Sequence, residues 1–300
     1  MAARRSTRRR FDDESWDTPA PTRSANSAGT DTDDDPSTDE PSWSTYRDAG
    51  HGPTPTPAWV VTDPRAVDTD HGVMKTGKEA DVSLLERRVP DGIAPDGARA
   101  TLMAVKRYRS AEHRMFHRDA GYLEGRRVKE SREMRAIETR TAYGRKLIAS
   151  QWAVAEFDVL SRLWASGASV PYPVQLIGTE LMMEFIGTPD GQAAPRLAQL
   201  RPDRSEAHDL YAQLVELMRR LAELGLAHGD LSAYNVLVQD GRVVLIDLPQ
   251  AVDIVGNPQG FEFLRRDCDN ICQWFAHHGL PAAEGADLFA ELRRAAPGDD

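Results

Sequence analysis

Between residues 209 and 224, leucines recur at 210, 214, 217, 221 and 224, and Gly225 follows. That three-to-four spacing lays one apolar stripe along an α-helix, and the glycine ends it. A second stripe (Trp152, Ala155, Val159, Leu160, Leu163) predicts a helix over 150–165 stopped by Gly167, and Glu156 falls inside its apolar face. Residues 101–106 alternate as a strand, with Leu102, Ala104 and Lys106 on one face and Met103 and Val105 on the other. Two β-branched runs flank Asp240-Gly241, a strong short-range hairpin signal. A two-residue turn there sets Gln239 opposite Arg242 and brings Asn235 beside Ile246 and Asp247. Strands are also predicted at 174–177 and 180–186, around Gly178, and on both sides of Thr76-Gly77-Lys78; further helices fall at 261–275 and 285–294.

Composition changes this picture mainly at the front. Residues 1–57 are rich in Ser, Thr, Asp, Pro and Arg and nearly empty of large aliphatics, which predicts a disordered acidic tail with order starting near Ala58. The tail opens on Arg4, Arg5, Arg8, Arg9 and Arg10, but no apolar segment follows them and no run is long enough to span a membrane. A cytoplasmic chain with no membrane partner is expected. The net charge of −10 argues against sequence-specific nucleic-acid binding. Cys268 and Cys272, one helical turn apart, form no disulfide framework, and with His277 and His278 they lack the paired-knuckle spacing of structural zinc.

The candidate chemistry gathers around His228-Gly229-Asp230-Leu231-Ser232-Ala233-Tyr234-Asn235 and the hairpin after it. A carboxylate and an amide on adjacent strand ends, with a second carboxylate in the preceding loop, make a hard-oxygen site suited to Mg²⁺. The spacing matches a phosphoryl-transfer template: Asp230 accepts the proton of the attacking hydroxyl, while Asn235 and Asp247 hold metal on the ATP phosphates. Lys106 ends a half-buried strand face and needs an anion; Glu156 is the carboxylate offered to it. Thr76, Gly77, Lys78 and Glu79 form a small-residue turn where backbone N–H groups can approach a phosphate. Glu184-Phe185-Ile186-Gly187 ends a strand before a Pro- and Gly-rich connection, suiting a hinge whose backbone at Glu184 and Ile186 meets adenine. His228 reads as a loop anchor rather than a base. Residues 109–146 are highly charged and weakly periodic, a basic flexible insertion facing the cleft.

Taken together, Thr76-Gly77-Lys78-Glu79-Ala80, Ala104-Val105-Lys106, Met183 through Gly187, the His228 loop, Leu245-Ile246-Asp247 and Phe263 through Cys268 resemble the RIO family of atypical serine/threonine protein kinases, its first subfamily by order and spacing. The resemblance covers about residues 70–280. It implies an α+β, two-lobed kinase-like fold: an N-lobe over 58–187, and over 188–300 a reduced C-lobe without the usual activation and peptide-docking segments. It also implies ATP with Mg²⁺ (or Mn²⁺), Lys106, Asp230 and Asp247 as catalytic residues, and Asn235 and Asp247 as metal ligands. Family members can form a phosphoaspartate at the Asp247 position, and some act as ATPase switches on ribosomal particles, so a ribosomal partner joins an unidentified protein substrate.

Two positions depart from the family pattern, and a third from ordinary kinases. Lys75 stands where a small residue is common, Asp81 where Asn is usual, and Gly229 where ordinary kinases carry arginine. His-Gly-Asp-Leu with a later Asn and Ile-Asp also suits aminoglycoside- and choline-kinase-like small-molecule phosphotransferases. The Thr76 loop and the Phe263 segment argue against that alternative.

Overall fold

The computed structural model describes residues 42–109, 142–281 and 283–298. The expected tail up to residue 41, and residues 110–141 of the insertion expected over 109–146, lie outside the described residues.

β-branched and alternating segments in the first half build a seven-stranded antiparallel sheet from β1 (Ser42–Trp43), β2 (Gly50–His51), β3 (Val67–Thr76), β4 (Ala80–Arg88), β5 (Ala100–Tyr108), β6 (Pro173–Ile177) and β7 (Glu180–Glu184). The order is β1-β3-β4-β5-β7-β6-β2, so the two short leading strands cap opposite edges. Such edge pairing covers backbone groups that would otherwise be open to other chains.

This corrects the sequence reading of a disordered tail through residue 57. Ser42 pairs with Asp68 and His51 with Gln175. The segment is poor in aliphatics, and polar anchors hold it instead. Buried Arg87 donates two bonds to Asp68 (2.7 and 2.8 Å) and one to Gln175 (2.8 Å), whose amide donates to Thr45 (2.9 Å). Tyr46 stacks on His51 at 4.1 Å, and the Tyr172 hydroxyl donates to the Pro53 carbonyl. A hydrophobicity argument weighs none of these contacts.

The first long helix, α1 (Ala142–Ala165), starts eight residues before the predicted start at 150, so the end of the expected insertion, 142–146, is helix instead. Ala149 and Ala153 pack on Ala80 and Tyr108, and Val159, Leu160 and Leu163 enter the main core. The helical half follows with α2 (Arg204–Glu223), α3 (Gly260–His277) and α4 (Gly285–Ala295). Asp203 caps α2 through the N–H groups of Ser205 and Glu206, and Glu206 returns a bond to Asp203. Between α2 and α3 lie the strand pair β8 (Leu226–Ala227) with β11 (Val252–Asp253) and the hairpin of β9 (Val236–Gln239) with β10 (Arg242–Leu245).

The hairpin has the predicted register, Gln239 opposite Arg242. Asp240 and Gly241 both adopt positive φ (50° and 74°), the two-residue turn whose twist matches its strands. Leu214, Leu231, Leu245, Leu248 and Phe275 meet in one core beneath it.

Replacing Asp68 by alanine leaves the Arg87 guanidinium buried without its carboxylate, an expected loss of about 3–5 kcal/mol in chemical denaturation. Replacing the pair together, Asp68→Leu with Arg87→Met, should recover most of it; an Asp68→Ala variant as stable as the parent would show that the buried pair does not hold the segment.

Candidate active site

The site is assembled where the end of β5, the middle of α1 and the exit of the hairpin meet. Lys106 donates to Glu156 Oε1 (2.9 Å) and to Asp247 Oδ1 (2.7 Å). Glu156, on the apolar stripe of α1, has further partners: its Oε1 accepts from the Leu248 N–H (3.0 Å) and its Oε2 from the Tyr108 hydroxyl. A carboxylate in a helix core thus gathers a lysine and a phenol from β5 and a backbone amide from the residue after Asp247. The pairing of Lys106 with Glu156 inferred from the two periodicities is present, and Asp247 joins it.

The electrostatics follow from this packing. Burial disfavours the Lys106 ammonium, but Glu156 and Asp247 outweigh it and raise its pKa above the usual lysine range. Desolvation pushes Asp247 up, yet the charge and hydrogen bond of Lys106, helped by Lys75 and His228, hold it at about 2. Burial and the neighbouring Glu156 raise Tyr108 well above the usual phenol range, so it stays a donor.

Asp247 leaves the hairpin at φ 67°, a left-handed conformation that Asp tolerates better than most side chains. Its side chain is 44% exposed, so the carboxylate reaches the cleft while one oxygen remains on Lys106. The Ile246 N–H donates to the Asn235 carbonyl (2.9 Å), as the register predicts, and the Asn235 amide lies 3.5 Å from Asp247 Oδ2. Ser232 donates to Asn235 Oδ1 at 2.7 Å. Among the described residues no cluster of three or more His, Cys, Asp or Glu is arranged for a metal. An ion between Asn235 and Asp247 would rely on phosphate and water oxygens for its remaining ligands. Mg²⁺ takes such sets readily, and the oxygen-only chemistry of the pair fits it.

Asp230 is exposed on the loop before Asn235, and the backbone on either side of it is clamped. Buried Asp267 of α3 accepts from the N–H groups of Gly229 and Leu231 (2.9 Å each), Asn270 donates to the Leu231 carbonyl (3.0 Å), and Arg266 donates to the Gly229 carbonyl. Desolvation raises the Asp267 pKa, against His228 and the two backbone donors. This clamp was missed in the sequence, although its signal was there. Asp267 sits in the α3 stripe of Leu264, Cys268, Ile271, Cys272 and Phe275, just as Glu156 sits in that of α1. His228 anchors the loop through Nε2 to the Ile246 carbonyl (3.1 Å). Gly229 has a positive φ of 86°, and a Cβ there would meet the Gln250 carbonyl at 2.6 Å, so no arginine fits. The cause is the short path from Asp247 to β11, which folds straight back over the loop.

The remaining expected residues are less tightly gathered. The Gly77 N–H closes a turn onto the Ala80 carbonyl (2.9 Å), and the Gln250 amide reaches across to Glu79 at 3.4 Å. Thr76 and Lys78 are exposed on this turn. At the hinge the Glu184 N–H is bonded to the Tyr172 carbonyl and the Ile186 carbonyl to the Ala194 N–H. That leaves the Ile186 N–H facing no protein acceptor among the described residues. The connection after it is not loose: Gly187 bridges Ala193, and the Gln192 carbonyl takes the Thr188 N–H. Asp81 turns away from the cleft into an ion pair with Arg109. Cys268 and Cys272 are buried free thiols.

The RIO domain family model matches residues 94–288. The RIO-type serine/threonine-protein kinase Rio1 of Haloferax volcanii is 36% identical over 224 residues, covering 74% of this chain and 68% of that protein. The serine/threonine-protein kinase RIO1 of Homo sapiens is 31% identical over 223 residues, and that of Caenorhabditis elegans 40% over 146. The chain spans only 35% and 28% of those two relatives' lengths. Among solved structures, the Rio2 kinase-ADP/Mg²⁺-phosphoaspartate complex from Chaetomium thermophilum superposes with a TM-score of 0.55 at 21% identity, covering 77% of this chain and 62% of that one. That likeness establishes the α+β, two-lobed kinase-like fold, with the sheet as N-lobe and the helical half as C-lobe. With most of its length matched by the family model and by a Rio1 relative, the chain belongs to the RIO domain family.

Proposed function

We propose that this chain transfers the terminal phosphoryl group of ATP to serine or threonine hydroxyls of a protein, itself included. The observation that carries the reading is the lysine held at 2.9 and 2.7 Å between a helix carboxylate and the hairpin aspartate. Such a lysine is aimed and charged before any phosphate arrives. Lys106 binds and orients the phosphates, and Glu156 keeps it in place. Asp230 takes the proton of the acceptor hydroxyl. The turn over Thr76, Gly77, Lys78 and Glu79 covers the phosphates, and the hinge at Glu184 and Ile186 receives the adenine. Asn235 and Asp247 would hold Mg²⁺, or Mn²⁺, which when bound neutralises charge on the phosphate oxygens. Residues 42–187 serve as the N-lobe and 188–300 as the C-lobe, acting in the cytoplasm.

A second reading has Asp247 itself take the phosphoryl group: a carboxylate oxygen bonds to the terminal phosphorus, ADP leaves, and water later cleaves the acyl phosphate. The Rio2 kinase complex named above contains a phosphoaspartate. The feature here that favours it is the exposed Asp247 carboxylate, with few residues between it and β11 to dock a peptide. On that reading the chain works as a slow ATPase switch on a partner such as a ribosomal particle.

Incubation with γ-labelled ATP and Mg²⁺ separates the two, because label on Ser or Thr survives acid while an acyl phosphate at Asp247 does not. Asp230→Asn should lower acid-stable labelling by about 10²–10⁴-fold. Labelling at the parental rate would remove Asp230 as the base.

Asp267→Ala leaves the Gly229 and Leu231 N–H groups buried without an acceptor, each an expected loss of about 1–3 kcal/mol. Turnover should fall more than nucleotide affinity does, because the clamp aims Asp230 and does not touch the adenine side. An unchanged kcat with an unchanged denaturation midpoint would show that α3 does not set the loop.

A further inference from the structure

Two cations point at this cleft without a carboxylate of their own. Lys75, near the end of β3, is opposite Val82, and Val82 is opposite Lys106. Cross-strand partners share a face, so Lys75 and Lys106 stand on the same side of the sheet about 10 Å apart, two strand spacings. The register shifts on either side of Val73 mark a bulge just before Lys75, a device that re-aims a side chain. Lys75 is half-buried, and its ammonium makes no hydrogen bond or ion pair among the described residues.

The second cation comes from the opposite lobe. Arg196 is bridged to Leu237 of β9, and its guanidinium donates to the carbonyl of Tyr234, next to Asn235. It forms no ion pair among the described residues. Both cations lie within electrostatic range of Asp247, and Lys75 also feels the repulsion of Arg196 and Lys106. Lys75 and Arg196 therefore bring two cations without an ion pair to the side of the cleft where Glu156 and Asp247 are both already bonded to Lys106. In a chain of net charge −10 this local excess of positive charge calls for a polyanion.

We propose that Lys75 and Arg196 form a two-cation seat for the terminal phosphate of a nucleoside triphosphate, gripping it from opposite lobes and distinguishing triphosphate from diphosphate. The proposal rests on the phosphoryl-transfer reading above. Lys106, deep between its carboxylates, meets the inner phosphates. Lys75, two strands further out, and Arg196, beside the loop that carries Asp230, meet the outermost one. Once that phosphate has been transferred, only Asp247 is left to offset the repulsion between the two cations, which favours release of the diphosphate.

The test is isothermal titration of the full chain with a non-hydrolysable ATP analogue and with ADP, each with Mg²⁺, for the parent, Lys75→Ser and Arg196→Gln. Thermal melts confirm that the variants are folded; Lys75→Ser, at a half-exposed strand position, is the safer of the two. Loss of one charge-assisted contact should raise the analogue Kd about tenfold while the ADP Kd moves by less than about twofold. An unchanged ratio of the two constants in Lys75→Ser overturns the seat. Equal weakening of both nucleotides also overturns it, since the cations would then hold inner phosphates. An unchanged ratio with a raised KM for an acidic peptide acceptor would assign the cations to the acceptor instead. If the parent binds neither nucleotide, the phosphoryl-transfer reading falls and takes this inference with it.

Discussion

The position of the Lys106 ammonium between Glu156 and Asp247 is the constraint on which the rest depends. An ammonium taken out of water is tolerated only when well paired, and here its two partners come from a helix and from the end of a distant hairpin. The ion triad therefore does more than neutralise a charge. It sets the rotation of α1, the depth of β5 and the exit angle of the hairpin against one another. The Leu248 N–H on Glu156 adds a backbone tie from the residue that follows Asp247. The lobes also share polar contacts at Gln250 with Glu79 and at Ser169 with the Val243 carbonyl, but only this one carries buried charge from both sides among the described residues.

The C-lobe solves a similar problem with another buried carboxylate. Asp267 accepts two N–H groups from residues on either side of Asp230, so a rigid helix fixes the backbone of an exposed loop. The chain turns back within a few residues of Asp247 and lies over Gly229, where no side chain fits. An economical loop of this kind leaves no long segment to be rearranged by phosphorylation, and it leaves the Asp247 carboxylate open to the cleft.

Much of this was legible in the sequence because it rests on local rules. The Asp240-Gly241 turn set the hairpin register, and the register brought Asn235 to Asp247. Alternation along β5 placed Lys106 on a buried face, and the apolar stripe of α1 enclosed Glu156. What escaped the reading lies where long-range polar contacts decide. The segment at 42–57 has no hydrophobic signature, yet Arg87, Gln175 and Thr45 draw it onto the sheet. Asp267 carried the same signal as Glu156 but had no visible partner, since its partners are backbone groups. Arg196 sits in an irregular stretch where no periodicity applies, and Lys75 registered only as a departure from a pattern. Asp81, which could have crowded the phosphates, is drawn off by Arg109.

The central claim is that the lysine–carboxylate triad forms in the protein itself, ahead of nucleotide. A double-mutant cycle between Lys106→Met and Glu156→Gln, read by chemical denaturation without nucleotide or metal, tests it most directly. The account predicts a coupling energy within the range of about 0.5–3 kcal/mol that directly contacting residues show, and toward its upper end because the pair is buried. Strictly additive losses would contradict it, because Lys106 and Glu156 would then be meeting only when a phosphate brings them together.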